Sequence, residues 1–423
     1  MDYDVIVLGG GPAGIAAAVS SAKCGARTLL VEKNGTVGGM GTSGLLNVWC
    51  GSSSSGFFRK VRAKTTQQRG RRSVFSPEAL KSCYLAELEA AGAELLLHAT
   101  YCGVHRRGTT IDSVQILSAG ETFPLRAKVY IDATGDGFLA KDAGVPYCKG
   151  RETDHRMQPM SLIFSVGGVE ESRAVYPSFG THPDLEQKMQ DYVARGRIAS
   201  PAGHVILIQG FHPGTANVNM TNLVGLDPTK AEDLTRAELL TRRQVPQIVE
   251  FLRECVPGYE NCFLLQTAQT VGARESLHFV GDYRLTEQDI LAQRVFDDWV
   301  VSNAAFSFDT HSLTGSGKDP SCLKYHGERY TIPYRCLLPQ GVDNLLLAGR
   351  NISGTHMAHS SFRVMTICMG MGEGAGVAAA LAVREGIPLR QVDPKAIQAI
   401  LLQTMEVEPP CPVEGLGDPL PTQ

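Results

Sequence analysis

The sequence predicts an α/β fold built on a parallel sheet, with a second, α+β domain set into it. Three observations carry this. Met1 to Lys33 reads as strand, glycine turn, helix and strand. Short, almost wholly apolar runs of the kind that form buried parallel strands recur at Lys128 to Ala133 and Asn344 to Gly349. Between them the rhythm changes to mixed strands and amphipathic helices. The expected organisation is a dinucleotide-binding part over 1–150, a substrate or cap domain over 151–335, a return segment over 336–405 and a proline-rich tail over 406–423.

Tyr3 to Leu8 is the first strand, and the turn Gly9-Gly10-Gly11-Pro12-Ala13-Gly14 follows it, leading into a small-residue helix from about Ala13 to Cys24. Gly9, Gly11 and Gly14 fit G-x-G-x-x-G in the setting that gives the motif meaning: a strand before, a helix after and an acid about 20 residues on. Gly9 makes the tight turn, Gly11 admits a pyrophosphate to the backbone, and Gly14 lets helix approach strand. The free N–H groups of the helix N-terminus favour the anion. Arg27 to Val31 forms the second strand, and Glu32 at its end can accept hydrogen bonds from a ribose while repelling a 2′-phosphate. The unit binds an ADP moiety.

Five glycines between Gly35 and Gly44 read as a loop whose backbone comes close to a ligand, continued by a flexible Ser52 to Ser55. The basic cluster Arg59 to Arg72 reads as a solvated loop. Ser76-Pro77-Glu78 starts a helix with Leu80, Tyr84, Leu85, Leu88 and Ala91 on its apolar stripe, stopped by Gly92. Glu94 to Tyr101, Thr110 to Leu117 and Glu121 to Leu125 read as an antiparallel meander. Thr134-Gly135-Asp136-Gly137 is a ligand loop at the end of the next strand.

In the second domain, strands are expected at Met160 to Val166, His204 to Gln209 and Cys262 to Val271. Helices are expected at Pro228 to Cys255 and Thr286 to Val300. Gly315-Ser316-Gly317-Lys318 is not a phosphate loop, because Ser312 replaces the earlier glycine and Asp319 follows the lysine. After a polar turn, Arg350 to Arg363, a long helix spans about Val364 to Arg384. Its glycines imply close approach of a ligand or another backbone. A last helix covers Pro394 to Met405, before a tail expected to be disordered.

With 40 basic and 43 acidic residues the formal net charge is −3, which argues against nucleic acid as the main partner. No stretch reads as a membrane span, and no export signal is seen ahead of Tyr3. The 11 cysteines include no C-x-x-C, so they read as reduced thiols of a cytoplasmic protein, and a redox dithiol is excluded. No second strand–glycine–helix unit offers a nicotinamide site.

Together these blocks resemble the FAD-dependent oxidoreductase family of bacterial type, with a glutathione-reductase-like FAD fold. Further blocks carry the resemblance: Arg274-Glu275-Ser276, Gly281 to Thr286, Ile332 to Arg335, Leu347 to Arg350, and Arg363-Val364-Met365. The resemblance implies that Gly9, Gly11, Pro12, Ala13, Gly14, Glu32 and Lys33 hold the ADP half of FAD. It also implies that Gly38, Gly39, Met40, Gly41 and Thr42 wrap the pyrophosphate and approach the isoalloxazine. Thr134, Gly135 and Asp136 would flank the adenosine side, and Gly349 and Arg350 the ribityl chain. The late helix, with Met369 and Gly370 among the cofactor contacts, would aim its N-terminus at the flavin N1/O2 edge. Family members often carry a basic pair where this chain has Ser276-Leu277-His278-Phe279.

Flavin chemistry needs a group to manage one proton and a group to orient the substrate. His356 or His359 is the expected general base, with Arg363 and Arg274 anchoring an acidic group; the same side chains could instead bond loop or flavin carbonyls. No metal is expected. The expected reaction is hydride transfer from a small, carboxylate-bearing metabolite. Reduction of an activated alkene and a non-redox binding role are the competing readings. A homo-oligomer and a separate electron acceptor both stay open.

Overall fold

The computed structural model describes residues 2–69, 72–324 and 327–411. Its centre is a five-stranded parallel sheet. In chain order the elements at its heart are β1 (Tyr3–Leu8), α1 (Pro12–Lys23), β2 (Thr28–Val31), β3 (Glu94–Leu96), β4 (Ala127–Asp132), β5 (Leu345–Leu347) and α2 (Met365–Glu385). The strand order is β5-β4-β1-β2-β3. Val7 pairs with Leu30 on one side and Ile131 on the other. Val5 to Leu8 are at most 1% exposed, which is why this strand is apolar throughout instead of alternating.

The glycines of α2 serve packing. A Cβ on Gly372 would lie 2.0 Å from the Ala13 carbonyl oxygen, and one on Gly376 would lie 2.3 Å from that of Ala17. The two helices therefore touch backbone to backbone. Among the described residues α2 is the one helix long and apolar enough to cross a membrane, with mean hydropathy 1.5, but 94% of that stretch is buried in this core.

Several expectations change. Ser53, Ser54 and Ser55 are buried, and Ser55 caps a helix, Gly56–Thr65, that the sequence read as loop. Phe57, Phe58 and Val61 bury its apolar face, which the charged residues between them obscure. Thr66–Arg69 and Arg72–Phe75 then form a hairpin. Leu85 is exposed; Cys83 and Glu87 are buried on that helix instead. Glu94–Leu96 leaves the meander for the parallel sheet, and the meander is Ala99–Arg107, Thr110–Ser118 and Glu121–Leu125. Thr286 opens only a short helix, Glu287–Leu291, and Trp299–Ala304 is a strand. The polar turn after Arg350 contains a helix, His356–Phe362, capped by Thr355.

Two apolar cores form. The second collects residues from Met160 to Val271, around a four-stranded antiparallel sheet and the helix Ala231–Cys255. The residues from Leu277 to Tyr334, expected in the second domain, pack into the first core with α1 and α2. The boundary expected near residue 335 therefore falls near residue 272 in packing terms. Of the expected tail, Val407 is buried and the Cys411 N–H donates to Asn303; residues 412–423 lie outside the described residues.

Candidate functional site

Two cavities lie on either side of the glycine turn. The first is lined by Gly9, Glu32, Lys33, Tyr101, Thr134 and Phe138. It sits at the carboxyl ends of β1 and β2, where the sheet leaves backbone groups free for a ligand. Glu32 accepts from the Gly10 N–H (2.6 Å) through Oε2 and from the Asn34 N–H (2.9 Å) through Oε1. Oε1 also accepts from the Asn34 side-chain amide at 2.6 Å, so it is Oε2 that keeps a further lone pair for a ribose hydroxyl.

The turn itself fits a pyrophosphate. Gly9 has φ +98°, and a Cβ there would lie 2.5 Å from the Ala133 oxygen; on Gly14 it would lie 1.8 Å from the Gly9 oxygen. Gly11 alone of the three has open space above it, where a ligand's phosphates can approach. The loop is tied on by Gly38 N–H to the Gly10 oxygen (2.7 Å), with Gly39 against Gly11. Thr42 is turned inward, donating to the Val37 carbonyl at 2.8 Å.

The second cavity is lined by Met40, Cys50, Arg274, Asp309, His311, Arg350, Arg363, Val364 and Met365, among others, and encloses about 830 Å³ of empty space with its mouth included. The α2 N-terminus opens on it, since Val364 and Met365 line it and no side chain caps the first turn. Arg350 is neutralised by Asp136 at 2.6 Å and donates to Ser276 Oγ at 2.8 Å. Gly349 (φ +102°) brings the chain past Ala13 to this point. Together the two cavities, the turn and the two helix N-termini fit an adenine dinucleotide, with room in the second cavity for its ring system.

Met369 and Gly370 do not face either cavity. Met369 is fully buried, and a Cβ on Gly370 would meet Val301 and Ser55. Their helix presents only its first turn to the site. Thr134 acts within its loop, bonding Asp132 and capping the Gly137 N–H.

The expected base is also corrected. His356 and His359 are 2% and 1% exposed and line neither cavity. Glu275 holds His356 Nδ1 at 2.6 Å and His278 Nε2 at 2.7 Å on one oxygen, and its other oxygen accepts from the Gln158 N–H. His359 stands edge-on to His278, and burial, with His278 beside it, pushes it well below the ordinary histidine range. Glu275, His278 and His356 lie close enough together for a metal ion. Glu275 engages one nitrogen of each imidazole, while His278 Nδ1 and His356 Nε2 are buried with no hydrogen-bond partner, and the group lines neither cavity.

Arg274 and Arg363 do reach the second cavity, joined by Asp309 and His311, neither of which was singled out from the sequence. The Asp309-x-His311 spacing was the available signal. Arg363 binds Asp309 Oδ2 at 2.9 Å, and His311 Nε2 lies 3.5 Å from the same oxygen. Burial pushes the Asp309 carboxyl up, but His311, Arg363 and Arg274 together hold it below the usual carboxylate range. Burial and Arg274 lower His311 to about 4, so it is neutral at physiological pH. Arg274 donates to the Pro159 carbonyl (2.7 Å) and has no carboxylate within ion-pair distance among the described residues. Burial and Arg363 lower it to about 10, still cationic at neutral pH.

Residues 4–401 match the family described as FAD dependent oxidoreductase. A segment is 49% identical over 49 residues to mitochondrial dihydrolipoyl dehydrogenases of Caenorhabditis elegans and Schizosaccharomyces pombe, 12% of this chain and 9% of each relative. The chain thus matches under a tenth of those proteins' length. Among solved structures, a geranylgeranyl bacteriochlorophyll reductase-like protein from Thermoplasma acidophilum aligns over 96% of this chain and 84% of its own, with TM-score 0.50 and 14% identity. That likeness concerns the fold alone.

Proposed function

This chain belongs to the FAD dependent oxidoreductase family, and from that premise we propose that it oxidises a small, polar, carboxylate-bearing metabolite by hydride transfer to flavin N5. The observation that carries this reading is Arg274. A half-buried guanidinium without a carboxylate is costly unless an anion completes it, and it lines the cavity into which the α2 N-terminus opens. We assign the glutathione-reductase-like variant of the fold on Gly9 to Gly14, Glu32 and the return segment with Gly349. A cytoplasmic setting belongs to the same reading, in keeping with the lack of a disulfide among the described cysteines.

Bound FAD supplies the two-electron acceptor. Gly11 and the α1 N-terminus would hold its pyrophosphate, Glu32 a ribose, and Met40 and Val364 the walls around the ring system. Arg274 fixes the substrate carboxylate. Arg363 is held by Asp309 and so positions that carboxylate beside His311. Neutral His311 accepts the proton of the substrate hydroxyl or amine as the adjacent C–H bond gives up its hydride and the carbonyl or imine forms. The Asp309 charge then stabilises the imidazolium. Net cationic charge from Arg274, with Arg363 and Asp309 cancelling, matches a single carboxylate.

The test is spectroscopic. The purified protein should carry a yellow, acid-extractable flavin that bleaches anaerobically with members of a panel of 2-hydroxy and 2-amino acids. A protein that binds FAD and bleaches equally well with uncharged alcohols would overturn the carboxylate reading.

A further inference from the structure

Behind His311 the protein holds a second imidazole with no role so far. His204 is 2% exposed; the Asn219 backbone is near enough to interact with its ring, and neither ring nitrogen makes a well-formed hydrogen bond. Its ring stands edge-on to that of His311, centroids 6.2 Å apart, and both pack on Phe179 at 5.2 and 5.0 Å. His311 Nδ1 is likewise buried without a partner, as is Nε2 of Gln158, whose Oε1 accepts from the His311 N–H at 3.3 Å. Buried polar atoms gathered in this way are ordinarily satisfied by an internal water.

The consequence concerns the His311 tautomer. If Nε2 carries the proton it points at Asp309, and the remaining lone pair, on Nδ1, is shut inside the protein. If Nδ1 carries it, the Nε2 lone pair is free beside the cavity. Asp309 competes weakly for the Nε2 proton, since its Oδ2 is already bonded to Arg363 and lies 3.5 Å away. What Nδ1 finds therefore decides the matter.

We infer that His204 is a positioning residue: through one ordered water it accepts the His311 Nδ1 proton and fixes the tautomer that presents Nε2 to the substrate. This rests on His311 being the proton acceptor. The charged and titratable groups facing His311 are Asp309, Arg274 and Arg363, with His204 on the inner side. None of the first three offers Nδ1 an acceptor bond in this structure. Burial, helped by His311 and Arg274, lowers His204 to about 3, so it meets the Nδ1 proton as a neutral ring.

The experiment reads the tautomer directly and needs no substrate. The FAD-loaded protein is deuterated and labelled with 15N-histidine, and long-range 1H–15N spectra are recorded near pH 7.5, with His311→Gln identifying the signal. The expected wild-type pattern is a neutral ring protonated on Nδ1. In His204→Phe the Nδ1 preference should be lost, and in His204→Gln, whose amide oxygen can accept from the same water, it should be kept. A wild-type His311 protonated on Nε2, or an Nδ1 preference that survives His204→Phe, overturns the inference. If His204→Phe does not fold, the wild-type spectrum and His204→Gln still decide. The two readings can fail separately. His311→Gln reduced by an acid as fast as wild type would sink the role of His311, whatever its tautomer.

Discussion

Two histidine clusters lie close to each other in this protein and do opposite work. Around Glu275, His278 and His356 meet a carboxylate that is 0% exposed and lines neither cavity. Around Asp309, His311 shares its carboxylate with Arg363, and Asp309 and His311 line a cavity in which a further cation, Arg274, has no counter-ion among the described residues. Both clusters pair imidazole with carboxylate. The difference is where the carboxylate sits. Glu275 accepts from two imidazoles and a backbone N–H away from both cavities, whereas the Asp309 group lines a cavity with room for a ligand's charge and proton.

Substitutions test this contrast, beginning with the largest expected effect. His311→Gln should slow flavin reduction by a responsive acid roughly 10²- to 10⁴-fold, the usual worth of a positioned proton acceptor. Anaerobic stopped-flow measures it, and His359→Gln should leave that rate within a small factor. A reversal of the two results would exchange the roles of the clusters.

Glu275→Gln should cost about 3–5 kcal/mol of stability, because it removes the charge that two buried imidazoles and one amide are built around. Denaturant titration reads this directly. An unchanged midpoint would mean the network is dispensable. Arg274→Met should weaken binding of the same acid by about 2–5 kcal/mol, the cost of removing one partner of a buried charge pair. Binding is followed by the perturbation of the flavin spectrum; an equal loss for the corresponding uncharged amide would contradict a charge-based role.

The smallest effect is a pH dependence. His311 is lowered from 6.5 to about 4, so between those values the unfolded chain binds more protons than the folded one. Its contribution is fully present above pH 6.5 and is lost as pH falls towards 4, on the order of 3 kcal/mol. His204 and His359 are displaced in the same direction. The His311 share is therefore the difference between wild type and His311→Gln, which should have the flatter stability profile over that window. Parallel profiles would place His311 in a more polar setting than the structure gives it. Glu373, raised to about 7 by burial, has the opposite sign: its contribution is lost as pH rises from 4.5 through 7.

The cofactor turn was legible because its physics is local. Gly9, Gly11 and Gly14 act on backbone within a few residues, and β1 and β2 announce themselves by continuous apolarity. The helix Pro77–Ala91 was readable for the same reason, its Ser76 cap and Gly92 stop being adjacent in the chain. The helix His356–Phe362 was not, because Ala358 and Phe362 pack inward among polar residues that are also buried. Its histidines looked catalytic because nothing local shows that His356 is held by Glu275 and that His359 is buried against His278.

The sequence by itself determined the parallel sheet, the dinucleotide-type glycine turn, the acid at Glu32 and the two arginines that reach the second cavity, since each rests on short-range periodicity or residue chemistry. Tertiary structure alone decided which histidine meets that cavity and what the glycines of α2 are for. The cavity's Arg274, Asp309, Arg350 and Arg363 come from separate stretches, and the α2 glycines answer to carbonyls of α1. Burial and the identity of a side chain's neighbours are properties of the packed molecule, and they separate a structural imidazole from one that can take a proton.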